Sequence, residues 1–216
     1  MKTLLNIQSS PRFETSLSRV LSDQFIQQWL KDHPDGRVIT RDLMKTQLPF
    51  ISIEWLGGAF MPAKKQTPEM VKAMQLSDEL VAELKNADQI LIGTPMHNYN
   101  VPANFKAYID QVVRFNHTYN LNGGMLDDRK TTVILATARF YTAGAPEEQC
   151  NYVSGFLKCI LGYMGIKDVS ILLAGGMKAV NLGQDTFENY VEKYRAEVIE
   201  AAKSTSDRIK NQNSIS

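Results

Sequence analysis

Five short apolar runs along the chain predict the strands of a sheet. They are rich in leucine and β-branched residues, and most of them do not alternate between apolar and polar positions. That pattern is typical of parallel strands that are covered on both faces. The predicted strands are residues 4–7, 37–43, 89–94, 132–137 and 169–174.

Between these runs, apolar residues recur at the 3.6-residue spacing of amphipathic helices. One stripe begins at Leu17, and others begin after Pro102 and at Phe187. Thr67-Pro68-Glu69 supplies an N-cap, a proline and an acid for a helix start, and Ala145-Pro146-Glu147 precedes a further stripe. Strands that alternate with helices predict an α/β fold: a three-layer α/β/α sandwich with a five-stranded parallel sheet and right-handed crossovers.

One stretch departs from this alternation. Residues 48–66 form a long connection that contains Trp55, a glycine pair, Phe60 and Met61. A loop of this length is usually a lid or a binding surface. We therefore predict a surface loop here, whose aromatic residues have no periodic role in the core.

Length and composition set further bounds. The 216 residues are 44% hydrophobic, enough for one domain, which we place at residues 1–203 before a polar tail at residues 204–216. The formal net charge of +1 predicts no strong electrostatic attraction to nucleic acid or to an anionic membrane. No signal peptide and no apolar stretch near the roughly 20 residues that span a bilayer are present. We expect a soluble cytoplasmic protein, with Cys150 and Cys159 as buried, reduced thiols in one helical segment.

The loop after the third predicted strand is the most informative segment. It follows a buried run and precedes a helix, so it lies where open α/β sheets bind ligands. Its backbone groups and the Asn98 amide suit the edge of a flat heterocycle such as a flavin, and Met96 suits a ring face, although a structured turn is the alternative. His97 is either a surface residue, the commoner case, or a catalyst. The candidate ligand-binding residues are Pro95, Met96, His97, Asn98 and Tyr99.

A serine-rich loop follows the first predicted strand. Ser10 ends the strand, and Ser16 and Ser18 stand where the first helix begins. A phosphate there would meet free N–H groups at the helix N-terminus together with hydroxyl groups. The P-loop signature and the Gly-x-Gly-x-x-Gly fingerprint are both absent, which argues against ATP and against a Rossmann NAD site. The alternative is an ordinary serine-rich loop with an N-cap.

A third loop, after the fourth predicted strand, would complete the same cleft. It contains Thr137, Ala138, Arg139, Phe140 and Tyr141, of which the two aromatic residues belong either to the pocket or to the core. No His, Cys, Asp or Glu cluster has metal-ligand spacing, and no Gly-x-Ser-x-Gly motif is present. We therefore predict no metal site and name no catalytic acid or base.

Landmarks along the chain carry a family resemblance. They are Ser9-Ser10, Ser16-Leu17-Ser18, Arg41-Asp42-Leu43, Ser77-Asp78-Glu79-Leu80, Pro95-Met96-His97-Asn98-Tyr99-Asn100, Lys106 with Asp110, Thr118-Tyr119 and Leu161-Gly162-Tyr163-Met164-Gly165-Ile166. Over about residues 3–200 the chain is similar to the FMN-dependent NADH-azoreductases, which belong to the flavodoxin-like NAD(P)H quinone reductases. Each landmark alone is common, but the whole set is specific.

The resemblance implies a flavodoxin-like homodimer with FMN at the interface and the segment at 48–66 near the dimer contact. It implies that Ser10, Ser16, Leu17 and Ser18 hold the FMN phosphate and that Met96, His97, Asn98 and Tyr99 hold the isoalloxazine ring. To these we add Pro95, Thr137, Ala138 and Arg139 as candidates for binding the cofactor, and Tyr119 and Phe140 as candidates for contact with the acceptor. The chain departs from the family in two places. Arg139 and Phe140 stand where a glycine pair is common, and Phe115-Asn116-His117 lacks a usual glycine.

We therefore predict an FMN-dependent oxidoreductase that passes two electrons from NADH or NADPH to a quinone or an azo compound. The mechanism would be ping-pong, because both substrates would use the same flavin face. The alternative is a flavodoxin-type electron-transfer protein without its own small-molecule acceptor; such carriers are usually strongly acidic, whereas this chain is nearly neutral. A third hypothesis is a cofactor-free interaction protein.

Overall fold

The computed structural model of the protein describes residues 1–127 and 129–212. Its main strands are β1 (Thr3–Gln8), β2 (Arg37–Asp42), β3 (Gln89–Pro95), β6 (Lys130–Ala136) and β7 (Val169–Ala174), and a small antiparallel pair is formed by β4 (Tyr119–Asn120) and β5 (Gly123–Gly124). The main strands form one parallel sheet in the order β2-β1-β3-β6-β7. The five predicted strands are confirmed, with small shifts at their ends.

Helices cover both faces of this sheet. They are α1 (Leu17–Asp32), α2 (Ile53–Phe60), α3 (Pro68–Asn86), α4 (Ala103–Val112), α5 (Tyr152–Tyr163), α6 (Met177–Asn181) and α7 (Phe187–Gln212). Residues of α1 and α7 form the hydrophobic core on one face, and residues of α3, α4 and α5 form the core on the other. The predicted three-layer α/β/α sandwich of flavodoxin-like type is therefore confirmed.

The two cores follow from the alternation of side chains along the strands. On one face Leu4 belongs to the same core as Phe25 of α1, and on the other face Leu5 belongs to the same core as Leu80 of α3 and Phe105 of α4. All five side chains are buried. Because burying such a side chain contributes roughly 1.5–3 kcal/mol, the sheet is held firmly between its two helical layers.

The structure corrects the predicted loop at residues 48–66, which contains α2. Ser52 caps this helix by accepting the backbone N–H of Trp55 at 3.2 Å. Gly58 allows α2 to lie directly on α3, since a Cβ there would come within 2.4 Å of a methionine side chain. Trp55 is buried and donates its indole N–H to Gln111 at 2.8 Å, so it belongs to the interior and not to a surface loop.

The start of α5 and the state of the cysteines are also corrected. α5 begins at Tyr152 and not directly after Ala145-Pro146-Glu147, because residues 148–150 first form a 3-10 turn. Its N-cap is Asn151, whose side chain accepts a backbone N–H of the first turn. Cys150 lies in the 3-10 turn and is half-buried, and Cys159 is exposed on α5. The prediction of two buried thiols in one helical segment is wrong.

The last helix runs past the predicted domain boundary. α7 extends to Gln212, and residues 213–216 of the predicted polar tail lie outside the described residues. None of the helices in the described part of the chain is long and apolar enough to cross a bilayer.

The strand order decides where a ligand can bind. The chain moves outward from β1 to β2 and then returns to place β3 on the other side of β1. A crevice forms at such a switch point, at the carboxyl ends of the strands. The loops that follow β1, β3 and β6 therefore meet at one edge of the sheet.

Candidate functional site

A cleft opens at the carboxyl ends of β1, β3 and β6. Loops that follow these strands line it, and α6 lies along one side. The lining residues are Ser10, Pro11, Arg12, Thr15, Ser16, Leu17, Pro95, Met96, His97, Ala136, Thr137, Ala138, Met177 and Asn181. Each of the three loops predicted from the sequence therefore contributes to one cleft.

The N-terminus of α1 forms the end of the cleft that is rich in hydrogen-bond donors. Ser16 is the N-cap, and its Oγ accepts the N–H of Arg19 at 3.4 Å. The first intrahelical bond runs from the N–H of Val20 to the carbonyl of Ser16 at 3.0 Å. The N–H groups of Leu17 and Ser18 precede that bond and have no acceptor among the described residues. Such free N–H groups at a helix N-terminus suit a phosphate.

The hydroxyl groups of the predicted phosphate loop have different environments. Ser16 lines the cleft, whereas Ser18 is fully buried behind it, with its Oγ 3.2 Å from the Oγ of Ser16. The Oγ of Ser10 accepts the backbone N–H of Arg12 at 3.3 Å, which closes a tight turn. Ser18 can therefore meet a phosphate through its backbone N–H, and its hydroxyl orients Ser16.

A buried ion pair supports this loop from behind. Arg19 donates to both carboxylate oxygens of Asp42, each at 2.9 Å, and the two side chains are only 13% and 12% exposed. Burial alone would raise the pKa of Asp42, but the hydrogen bonds from Arg19 and from the N–H of Met44 hold that pKa below its ordinary value. The charge of Arg19 is therefore already neutralised.

The loop after β3 contains a tight turn with unusual backbone geometry. The N–H groups of His97 and Asn100 each donate to the carbonyl of the other, at 2.8 and 3.0 Å. Between them, Asn98 and Tyr99 have φ values of 49° and 63°, as in a type I′ turn. A left-handed conformation costs a residue other than glycine roughly 1–2 kcal/mol. Met96 lines the cleft, and its N–H donates to a carbonyl at the end of β6 at 2.8 Å.

The first two residues of the third loop line the cleft. Thr137 and Ala138 line the cleft, and the Oγ1 of Thr137 donates to the carbonyl of Arg139 at 2.7 Å. The guanidinium of Arg139 pairs with the carboxylate of Glu147 and does not line the cleft. This ion pair, rather than a ligand, therefore accounts for the charge of Arg139 in the single chain.

The structure places the two predicted acceptor-binding residues outside the cleft lining. The ring of Phe140 covers Gly176, where a Cβ would come within 2.6 Å of the ring, and Nζ of Lys193 lies 4.6 Å from its centroid. The ring of Tyr119 lies against that of Tyr163, with 4.7 Å between the centroids. One chain alone brings neither Phe140 nor Tyr119 to the cleft.

Sequence reasoning also missed six lining residues, namely Pro11, Arg12, Thr15, Ala136, Met177 and Asn181. Arg12 could have been identified from the sequence as a candidate, because it is a cation within the serine-rich loop. Met177 and Asn181 could not, because they lie far along the chain and reach the cleft only through the position of α6.

The groups that line the cleft fit FMN. The helix N-terminus and Arg12 suit a phosphate, and Pro95, Met96 and the start of the third loop present an apolar side chain and backbone groups to a flat ring. In the described part of the chain, no group of three or more His, Cys, Asp or Glu residues is arranged to hold a metal ion.

Comparison with known proteins identifies close relatives. The profile of a family described as "Flavodoxin-like fold" matches residues 1–198. The chain is 43% identical over 203 residues to FMN-dependent NADH:quinone oxidoreductase 8 of Burkholderia lata, covering 94% of this chain and 97% of that protein. It is 42% identical over 203 residues to FMN-dependent NADH:quinone oxidoreductase 2 of a Jannaschia species, covering 94% and 100%.

A solved structure shares the fold. It is an FMN-dependent NADH-azoreductase from Bacillus anthracis in complex with FMN, with a TM-score of 0.84 and 24% identity. The match covers 95% of this chain and 100% of that one.

Proposed function

We propose that this chain, which belongs to the family with the flavodoxin-like fold, is an FMN-dependent oxidoreductase that carries two electrons from NADH to a quinone or an azo compound. The observation that carries the proposal is the cleft itself, where unpaired N–H groups of α1 stand beside a rigid loop suited to a flat ring. Relatives at 43% and 42% identity that are named FMN-dependent NADH:quinone oxidoreductases support it.

The residues of the cleft divide into two groups. We assign the FMN phosphate to Ser10, Ser16 and the N–H groups of Leu17 and Ser18, and the flavin ring to Pro95, Met96, His97, Thr137 and Ala138. Asn98, Tyr99 and Arg139 would act by shaping the two loops that hold the ring.

Bound FMN would supply the two-electron chemistry, with hydride accepted from NADH and returned to the acceptor. The protein's task is to fix the ring against the loops after β3 and β6, so that only one ring face is left for substrates. NADH and the acceptor then occupy the same place in turn, which predicts ping-pong kinetics. His97 is the only histidine among the described residues that line the cleft, and no contact among those residues requires it as an acid or base.

The working unit that we propose is a homodimer. The segment that begins at Phe50 and includes α2 exposes large apolar side chains, namely Phe50 (84%), Ile53 (74%), Leu56 (41%) and Phe60 (64%). Such a patch on one face is typical of a protein interface. We also place the protein in the cytoplasm, because NADH is available inside the cell.

The decisive experiment adds NADH to the FMN-loaded protein without oxygen. We expect the flavin absorbance to bleach directly, and a quinone to restore it without any other protein. Steady-state rates at several fixed NADH concentrations should give parallel double-reciprocal lines. A yellow protein that NADH cannot bleach would instead support the flavodoxin-type carrier, and a protein that takes up no FMN would support a cofactor-free role.

A further inference from the structure

The cleft has one charged side chain with no acidic partner. Arg12 is the only Lys, Arg, Asp or Glu among the described residues that line it. Its Nη1 donates to Oδ1 of Asn181 at 3.4 Å, and no carboxylate in the described part of the chain pairs with it. A guanidinium in this position retains most of its donors for a ligand.

The neighbouring arginine cannot take this role. Arg19 uses Nη1 and Nη2 on Asp42, and its Nε and Nη2 also donate to the carbonyl of Ser10. The two arginines therefore lie at the same loop but have different roles. Arg19 fixes the backbone of the loop, and Arg12 is left to neutralise an anion at the end of α1.

Asn181 comes from a distant part of the chain and lies on the short helix α6. It ends α6, and the first turn of that helix is bonded to the third loop. The N–H of Met177 donates to the carbonyl of Thr137 at 3.2 Å, and the N–H of Lys178 donates to the carbonyl of Ala138 at 2.8 Å. The contact with Arg12 therefore bridges the loop after β1 and the segment after β7, beside the N-terminus of α1.

We propose that Arg12 and Asn181 form a clasp across the phosphate end of the cleft, and that this clasp makes the site select FMN among the flavins. The inference rests on the proposed function. Arg12 pairs with the terminal phosphate, which riboflavin lacks. Asn181 closes the path along which the adenylate half of FAD would have to leave the cleft.

The test measures dissociation constants for FMN, riboflavin and FAD by flavin fluorescence, which does not depend on turnover. Arg12→Gln should weaken FMN about 10- to 100-fold, the size of a lost hydrogen bond to a charged group, and should leave riboflavin almost unchanged. Arg12→Lys should recover part of the loss, because it restores the charge without the fork of donors. Arg195→Gln, at an exposed position of α7, is the matched control and should change none of the three constants.

Asn181→Ala tests the second half of the clasp. It should raise the affinity for FAD relative to FMN by roughly 5- to 10-fold, because one hydrogen-bonded side chain that blocks the exit is removed. Equal losses of FMN and riboflavin in Arg12→Gln, or an unchanged FMN-to-FAD ratio in Asn181→Ala, would overturn the clasp. Wild-type protein that binds no flavin would overturn the proposed function as well, so the two failures are distinguishable.

Discussion

Arg19 binds the carbonyl oxygen of Ser10 with two N–H groups, Nε at 3.2 Å and Nη2 at 2.8 Å. The same guanidinium donates two hydrogen bonds to the carboxylate of Asp42 at the end of β2. An edge strand thus supports a loop that follows the neighbouring strand. The geometry of the phosphate end depends on a carboxylate that never lines the cleft.

Asp42→Asn should therefore weaken both the fold and flavin binding. The substitution removes the negative charge that is hydrogen-bonded to Arg19, which should lower the free energy of unfolding by about 1–3 kcal/mol. The backbone at Ser10 should become less well fixed, so FMN should bind several-fold more weakly. Urea unfolding and flavin titration at neutral pH measure the two effects. The control is Asp110→Asn, which removes an exposed pair with Lys106 and should cost less than about 0.5 kcal/mol. Equal effects of the two variants would contradict the supporting role.

The contribution of Asp42 should also depend on pH. Its pKa in the folded chain lies below the ordinary 3.8, so its stabilising effect is present above that ordinary value and is lost as pH falls through the folded pKa. The stability difference between the wild type and Asp42→Asn should be constant near neutral pH and shrink below about pH 4. Urea unfolding across this range checks the sign. A difference that grows as the solution becomes more acidic would contradict it.

The type I′ turn after β3 predicts opposite effects for two substitutions at one position. Asn98 has φ of 49°, so Asn98→Gly should leave stability unchanged or raise it by up to about 1 kcal/mol. Asn98→Val places a β-branched residue in the left-handed region and should cost about 1–3 kcal/mol. Thermal unfolding of the two variants measures the difference. A valine variant as stable as the glycine variant would mean that the turn readily changes its shape.

The position of Phe140 predicts how its removal affects different acceptors. Its ring covers Gly176 and lies beneath Lys193, so Phe140→Ala should loosen the third loop and change kcat/KM for all acceptors in parallel. The sequence-based prediction that Phe140 contacts the acceptor requires opposite changes for small quinones and bulky azo dyes. Rates with both classes decide between these roles, and flavin reduction by NADH reports on the cofactor site.

The proposed homodimer predicts a light-scattering mass of twice the chain mass of 24.3 kDa. Phe60→Asp places a charge on the apolar segment that includes α2 and should shift the protein toward the monomer. Leu30→Asp, on α1 at the other face of the sheet, is the control and should leave the mass unchanged. A wild-type monomer at micromolar concentration would contradict the dimer.

Local signals predicted much of the fold and part of the site. The apolar runs identified all five strands, of which β1, β3 and β6 are almost wholly buried. Thr67 is the N-cap that its sequence suggested, and α1 begins directly after Ser16, where the serine-rich loop was expected to lead into the first helix. Local sequence patterns also identified the loops after β1 and β3 as parts of the site. These features depend on residues that are close together in the sequence, so they can be recognised from one sequence alone.

Features that depend on distant contacts were not predictable in this way. The long connection at residues 48–66 suggested a loop, whereas it contains α2, and Gly57 and Gly58 serve close packing of that helix on α3. Glu147 looked like part of a helix start, but it pairs with Arg139, and residues that follow it form a 3-10 turn. Asn181 enters the cleft only because α6 is bonded to the third loop.

The placement of α6 has a consequence for exchange of the cofactor. This helix has only five residues and follows β7, an edge strand that pairs with β6 alone. Two backbone hydrogen bonds hold α6 to the third loop, and a segment held by so few bonds opens locally far more often than a whole domain unfolds. Flavin release would therefore proceed by a brief opening of α6 while the sheet stays intact. The residence time of the cofactor could then change by orders of magnitude between relatives that share the same core and the same overall stability.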